Sequence, residues 1–132
     1  MTRGRHLQSQ IWGRRAESWA SAALRVKGYR ILQRNYRVPV GEIDIIACRG
    51  TILGFIEVKA RRNLAEGDVV EQQWQRIARA AEWFVMRHRR FSHFDWRFDV
   101  VIVRPWSWPR HLTDAWRPGG RPGGRPGGDL WG

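Results

Sequence analysis

Hydrophobic and polar positions alternate with a period of two in four stretches and with a helical period in two others, and this division predicts the elements. Residues 8–26 set Ala16, Trp19, Ala20, Ala23 and Leu24 on one stripe of a helix, with Gly28 as its stop. Residues 29–38 read as a strand ended by Pro39. Over residues 42–48, Ile43, Ile45 and Ala47 alternate with Glu42, Asp44, Ile46 and Cys48. Over 51–60, Ile52, Ile56 and Val58 alternate with Leu53, Phe55, Glu57 and Lys59. Residues 70–89 form a second helix in which Val70, Ile77 and Phe84 recur every seven positions beside Trp74 and Ala81. Residues 96–104 place Phe98, Val100 and Ile102 on one face of a fourth strand, and residues 110–116 are expected to form a short helix. The fold class is α/β: helix, three antiparallel strands, helix, then a strand that a right-handed crossover sets parallel to the Glu57 strand.

The two central strands carry the candidate chemistry. A two-residue turn at Arg49-Gly50 puts Cys48 opposite Thr51, Asp44 opposite Phe55 and Glu42 opposite Glu57. Opposed residues share a face, so Glu42, Asp44, Glu57 and Lys59 point to one side. Asp44 and Glu57 then become diagonal neighbours, about 7 Å apart at the backbone. A loop one residue longer would move Asp44 to the other face. Like charges set across a hairpin destabilise it. A cation between the two carboxylates would offset that cost, and Mg²⁺ accepts one or two carboxylates plus waters and phosphate oxygens. The same spacing also suits an exposed, salt-bridged ribbon.

Charge narrows the class of partner. The net charge is +12 and the pI about 11.6, which favours a polyanion such as nucleic acid. Only 2 of the 24 basic positions are lysine, Lys27 and Lys59. Genome composition explains arginine in place of lysine but not the positive excess. Arginine is planar and effectively never deprotonated, so it substitutes badly for an ammonium beside an attacking water. Lys59 stands two residues after Glu57, where that chemistry needs it. Lys27 lies at a helix end, where it complements the dipole.

An acid, then Asp, then Glu-x-Lys on a hairpin resembles the restriction-endonuclease-like, PD-(D/E)XK nuclease superfamily. More narrowly, GEIDIIA and FIEVKAR, preceded by GYRILQRNYR and followed by RFDVVIV, resemble the YraN family, uncharacterised bacterial proteins akin to archaeal Holliday-junction resolvases. The resemblance spans residues 13–116; the superfamily's proline is absent, Ile43 standing before Asp44. It implies a restriction-endonuclease-like core and metal-dependent cleavage of nucleic acid, DNA and branched DNA foremost. Asp44, Glu57 and the Val58 carbonyl would hold Mg²⁺ or Mn²⁺. Glu17, otherwise a solvated glutamate beside the first helix's stripe, would be the first acid of the site and hold the ion through water or a second ion. Lys59 would orient or deprotonate the attacking water. Kinship with resolvases allows a homodimer. Lysine is usual in the family where this chain has Gln73, which leaves Gln73 as an auxiliary contact. Glu42 belongs near the site without an assigned role. Arg61 and Arg62 adjoin it and suit phosphates, or form a solvated charge pair. Asp99 fits a structural acceptor better than a metal ligand, and Trp74 fits packing better than base stacking.

Residues 1–116 form one domain of modest core, and the RPGG repeats of 117–132 a disordered tail. No apolar run reaches the roughly 18–20 residues that span a bilayer, and no signal peptide is visible. A lone cysteine suits the cytoplasm, and His6, His88, His93 and His111 lack metal-site spacing. The rival to a nuclease is a non-cleaving nucleic-acid-binding protein, or a subunit of a DNA-processing assembly, on the same fold.

Overall fold

The computed structural model describes residues 2–61 and 69–119, with side chains from residue 14 on. Arg62 and the tail from residue 120 lie outside the described residues. The elements are α1 (Thr2–Val26), β1 (Arg30–Val38), β2 (Gly41–Arg49), β3 (Ile52–Ala60), α2 (Glu71–Arg87), β4 (Asp95–Val103) and β5 (Arg110–Trp116). A 3-10 turn, Arg89–Phe91, links α2 to β4. The strands form one sheet in the order β1-β2-β3-β4-β5. β3 and β4 are parallel and the other neighbours antiparallel. No helix among the described residues is long and apolar enough to cross a membrane.

The sheet separates two apolar clusters. On one face Ala16, Ala20 and Leu24 of α1 pack on Ile45, Ala47, Ile56, Val101 and Val103. On the other, Trp74, Ile77, Ala81 and Phe84 of α2 pack on Ile46, Leu53, Phe55, Phe98 and Val100. β3 is the central strand, buried without a break from Leu53 to Glu57. Two stripe positions face water instead: Trp19 is half exposed and Val70 lies just before α2, mostly exposed. Trp74 stacks on Trp116 at a centroid distance of 5.6 Å and is buried, so its role is packing. α1 ends as expected at Gly28, whose φ is +93°. The Tyr29 amide donates to the Leu24 carbonyl at 3.0 Å and the Gly28 amide to the Arg25 carbonyl at 3.0 Å, a Schellman close.

Three expectations are corrected. The hairpin turn is Gly50-Thr51, because Arg49 pairs with Ile52. Gly50 takes φ +59° at the first loop position, where a type II′ turn requires a positive φ that Arg49 would adopt only at a cost. The register is therefore offset by two residues from the expected one: Cys48 faces Leu53 and Ile46 faces Phe55. An even offset keeps the same residues together on each face. Residues 110–116 form a strand, β5, not a helix, because β4 offers them a free edge with His111 opposite Val101. Alternation also fails within β2. Ile45 joins the α1 cluster and Ile43 the α2 cluster, although they are two residues apart. Between them lies Asp44, and between their partners Arg34 and Tyr36 lies Asn35, in the left-handed region at φ +53°.

Two tight features hold this frame. A Cβ on Gly41 would stand 2.0 Å from the Arg76 carbonyl oxygen, so only glycine lets α2 approach the start of β2. Asp99 is fully buried and satisfied on all sides. Its carboxylate accepts from Arg97 Nε at 2.9 Å and from the Asp114 amide at 2.9 Å, and meets His111 Nε2 at 2.8 Å. Burial raises the cost of its charge, but His111 and Arg97 outweigh it and hold its pKa below the ordinary value. Asp99 is thus structural.

Gly41→Ala should destabilise the fold by about 1–3 kcal/mol through overpacking, read as a lower urea midpoint. Asp99→Ala, which leaves the Arg97 charge buried without its partner, should cost about 3–5 kcal/mol in the same measurement.

Candidate functional site

The sheet forks at one end, and the charged residues gather in the fork. β2 and β3 pair from Arg49 opposite Ile52 only as far as Ile45 opposite Ile56. Beyond that point β2 stays with β1, to Gly41 opposite Val38, while β3 stays with β4, to Ala60 opposite Val103. The backbone groups that face the gap need other partners. Asp44 supplies one: its Oδ2 accepts the Val58 amide proton at 2.8 Å. A strand residue directs its amide and carbonyl to the same side, so the Val58 carbonyl also faces the Asp44 side.

Glu57 is the buried member of the group, 6% exposed. Its carboxyl accepts from Gln73 Nε2 of α2 and lies close to the Asp44 carboxyl. Burial, then the hydrogen bond with Asp44 and the charge of Asp44, push its pKa up to about 9, against a smaller pull from Lys59. Gln73 has a second contact: its Oε1 accepts from Lys59 Nζ at 3.2 Å. One amide thus bridges the acid and the ammonium, a task for a group with both donor and acceptor. Gly41 makes this possible by letting that turn of α2 come close.

Glu17 reaches toward the fork from α1. Burial raises its pKa first and the Asp44 charge raises it further, while Arg34 and Arg37 of β1 oppose both. Glu42 stands at the rim, exposed, 3.7 Å from Arg37. It lines a cavity of about 250 Å³ with Val70, Gln72, Gln73 and Arg76. Arg61 follows Lys59 with its amide donating to the Val103 carbonyl at 3.0 Å. The fork therefore gathers Asp44, Glu57, Lys59 and Gln73, with Glu17 electrostatically coupled and Glu42 and Arg61 at the margins. Arg34 and Arg37 were not singled out from sequence, and in a chain so rich in arginine no signal marks them.

The chain belongs to the uncharacterised protein family UPF0102. The family model matches residues 16–103, from the helix of Glu17 to the end of β4. This is the YraN family that the motifs resembled. A UPF0102 protein of Parvibaculum lavamentivorans is 47% identical over 111 residues, covering 80% of this chain and 81% of that one. A UPF0102 protein of Nitrobacter winogradskyi is 48% identical over 105 residues, covering 78% and 89%. One of Mesorhizobium japonicum is 46% identical over 105 residues, covering 78% and 84%.

The donor set fits a hard divalent cation. Among the described residues no three or more His, Cys, Asp or Glu side chains form a ready cluster. Two carboxyls and a carbonyl, without imidazole or thiolate, suit Mg²⁺ or Mn²⁺ completed by water, and not zinc.

The pH dependence follows from Glu57. Its carboxyl keeps a proton up to about pH 9 when folded, against 4.5 when unperturbed. The folded state binds more protons in that window, so this group makes stability fall as pH rises through it. Glu57→Gln mimics the protonated acid. It should flatten that decline and abolish any rise in melting temperature given by Mg²⁺ or Mn²⁺ at mildly alkaline pH. Thermal melts across pH, with and without the ions, check both; an unchanged slope would assign the effect to other groups.

Proposed function

We propose that this protein is a metal-dependent nuclease that hydrolyses phosphodiester bonds in nucleic acid, with DNA and branched DNA as the first substrates to assay. The observation that carries this reading is the fork itself, where two carboxyls and an ammonium converge on a gap between strands in a strongly basic chain. Asp44, Glu57 and the Val58 carbonyl would hold Mg²⁺ or Mn²⁺, with Glu17 adding negative charge from α1. Bound there, the ion supplies Lewis-acid polarisation of a phosphoryl oxygen. Lys59 orients the attacking water and faces the charge that grows on the phosphoryl group. Gln73 fixes Lys59 and Glu57 relative to each other. Arg61, with Arg62 beyond it, holds flanking phosphates, and Glu42 with Arg76 borders the approach.

A second reading has its own support. Lys59 is engaged by Gln73, and Glu57 by both Gln73 and Asp44, a closed network that suits a nucleic-acid-binding subunit without cleavage.

Incubation of the purified protein with plasmid, branched DNA and RNA, with Mg²⁺, Mn²⁺ or EDTA, separates the two. Cleavage should require the ion and vanish in Asp44→Ala. Lys59→Ala, which removes one charge-stabilising donor, should lower the rate by about 10²–10³, and Lys59→Arg should not restore it. Cutting that survives in EDTA or in Asp44→Ala would place the chemistry elsewhere, and tight binding without cuts would establish the second reading.

A further inference from the structure

The connection between β4 and β5 carries an exposed pair of indoles. β4 ends at Val103 and β5 begins at Arg110, and the residues between them read Arg-Pro-Trp-Ser-Trp-Pro. Trp106 is fully exposed at 102% and Trp108 exposed at 58%. Trp106 sits at φ +63°, a left-handed conformation that non-glycine residues adopt rarely. A bulky side chain is thus held out from a tight tip, while Pro109 behind it is buried. Neither indole serves the core.

The tip lies beside the fork. Lys59 stands opposite Ile102 and Ala60 opposite Val103, and the Arg61 amide bonds the Val103 carbonyl. The connection therefore leaves the sheet from the same end as Lys59 and Arg61, one strand over. Neighbouring strands lie about 5 Å apart and a strand advances about 3.3 Å per residue. Trp106 is four residues beyond Ile102, so the tip falls within a span of about three or four nucleotides at 3.4 Å each. Arg104 and Arg110 flank the indoles, in a chain of net charge +12.

Aromatic rings among arginines beside a phosphate-handling site are how sequence-tolerant proteins grip single strands, with rings on base faces and guanidinium groups on phosphates. Bases inside an intact duplex are already stacked and offer no free face. We propose that Trp106, supported by Trp108, stacks on an unpaired nucleobase and so directs this protein to nucleic acid with single-stranded nucleotides next to the fork. Uninterrupted duplex would lack the contact. The proposal rests on the nucleic-acid part of the function proposed above and specifies its substrate. It concerns a segment just past the residues matched by the family model, which end at 103.

Binding in EDTA tests it apart from catalysis. Fluorescence anisotropy would compare a labelled single strand, a duplex with a single-stranded overhang and a blunt duplex, using the full chain. The wild type should bind the first two more tightly than the third. Trp106→Ala should weaken the first two by about tenfold, within the range of one lost stacking contact, and leave blunt duplex unchanged. Trp106→Phe should keep most of the affinity. Thermal melting should not move, since Trp106 is solvated in the free protein. Equal losses on all three ligands, or none, would overturn the proposal, as would a tip that engages only a protein partner. Metal-dependent cutting indifferent to Trp106 would leave the nuclease reading standing and sink this one. Trp106-dependent binding by an inert protein would do the reverse.

Discussion

Two carboxyl groups held close together repel one another when both are charged, and burial strengthens the repulsion. Asp44 and Glu57 are held in that position by the fork between β2 and β3. The backbone arrangement makes their meeting obligatory. Once the ladder stops at Ile45 and Ile56, the Val58 amide must find an acceptor, and the Asp44 carboxylate is the group that reaches it. Glu57, next along β3, is then trapped between that carboxyl and α2. Burial and the nearby Asp44 push the Glu57 pKa up to about 9, which gives the site its dependence on pH.

Comparison with Asp99 shows that this arrangement is not a general cost of burying acids. Asp99 lies on β4 opposite Ile56, next to the Glu57 position on β3. It is buried more deeply, yet its pKa falls where that of Glu57 rises. Asp99 has a guanidinium, an imidazole and a backbone amide arranged around it. Glu57 has an uncharged amide and another acid. One strand apart, the same fold satisfies one carboxylate completely and leaves the other in need of positive charge. The first environment stabilises the charged form of its carboxyl, and the second stabilises the neutral form.

Rigid surroundings keep the needy site from relaxing. Gly41 lets α2 contact the start of β2, and this sets Gln73 between Glu57 and Lys59. The α1 cluster on the opposite face brings Glu17 toward Asp44. The β4–β5 tip, with its exposed indoles, leaves the sheet at the fork's own end. Charge, aromatic surface and the gap between strands are thus concentrated at one end of the sheet, and the two apolar clusters form the support.

The sequence alone determined the strands and helices of the central unit, since period-two and helical stripes reflect which side chains must leave water. It also determined that Asp44, Glu57 and Lys59 belong together. That result survived a misplaced turn because the register error was two residues, a full period of the strand. Tertiary structure decided what periodicity does not encode. The left-handed preference of Gly50 set the turn, and the free edge of β4 made a strand of residues 110–116 where a helix was expected. The kink at Asn35 and Asp44 carried Ile43 to the other face. The partners of Glu57 and Lys59 came from α2, sixteen and fourteen residues away. Local patterning reports how each segment divides itself between water and core, whereas the approach of one segment to another depends on backbone clearances that exist only once the whole chain is packed.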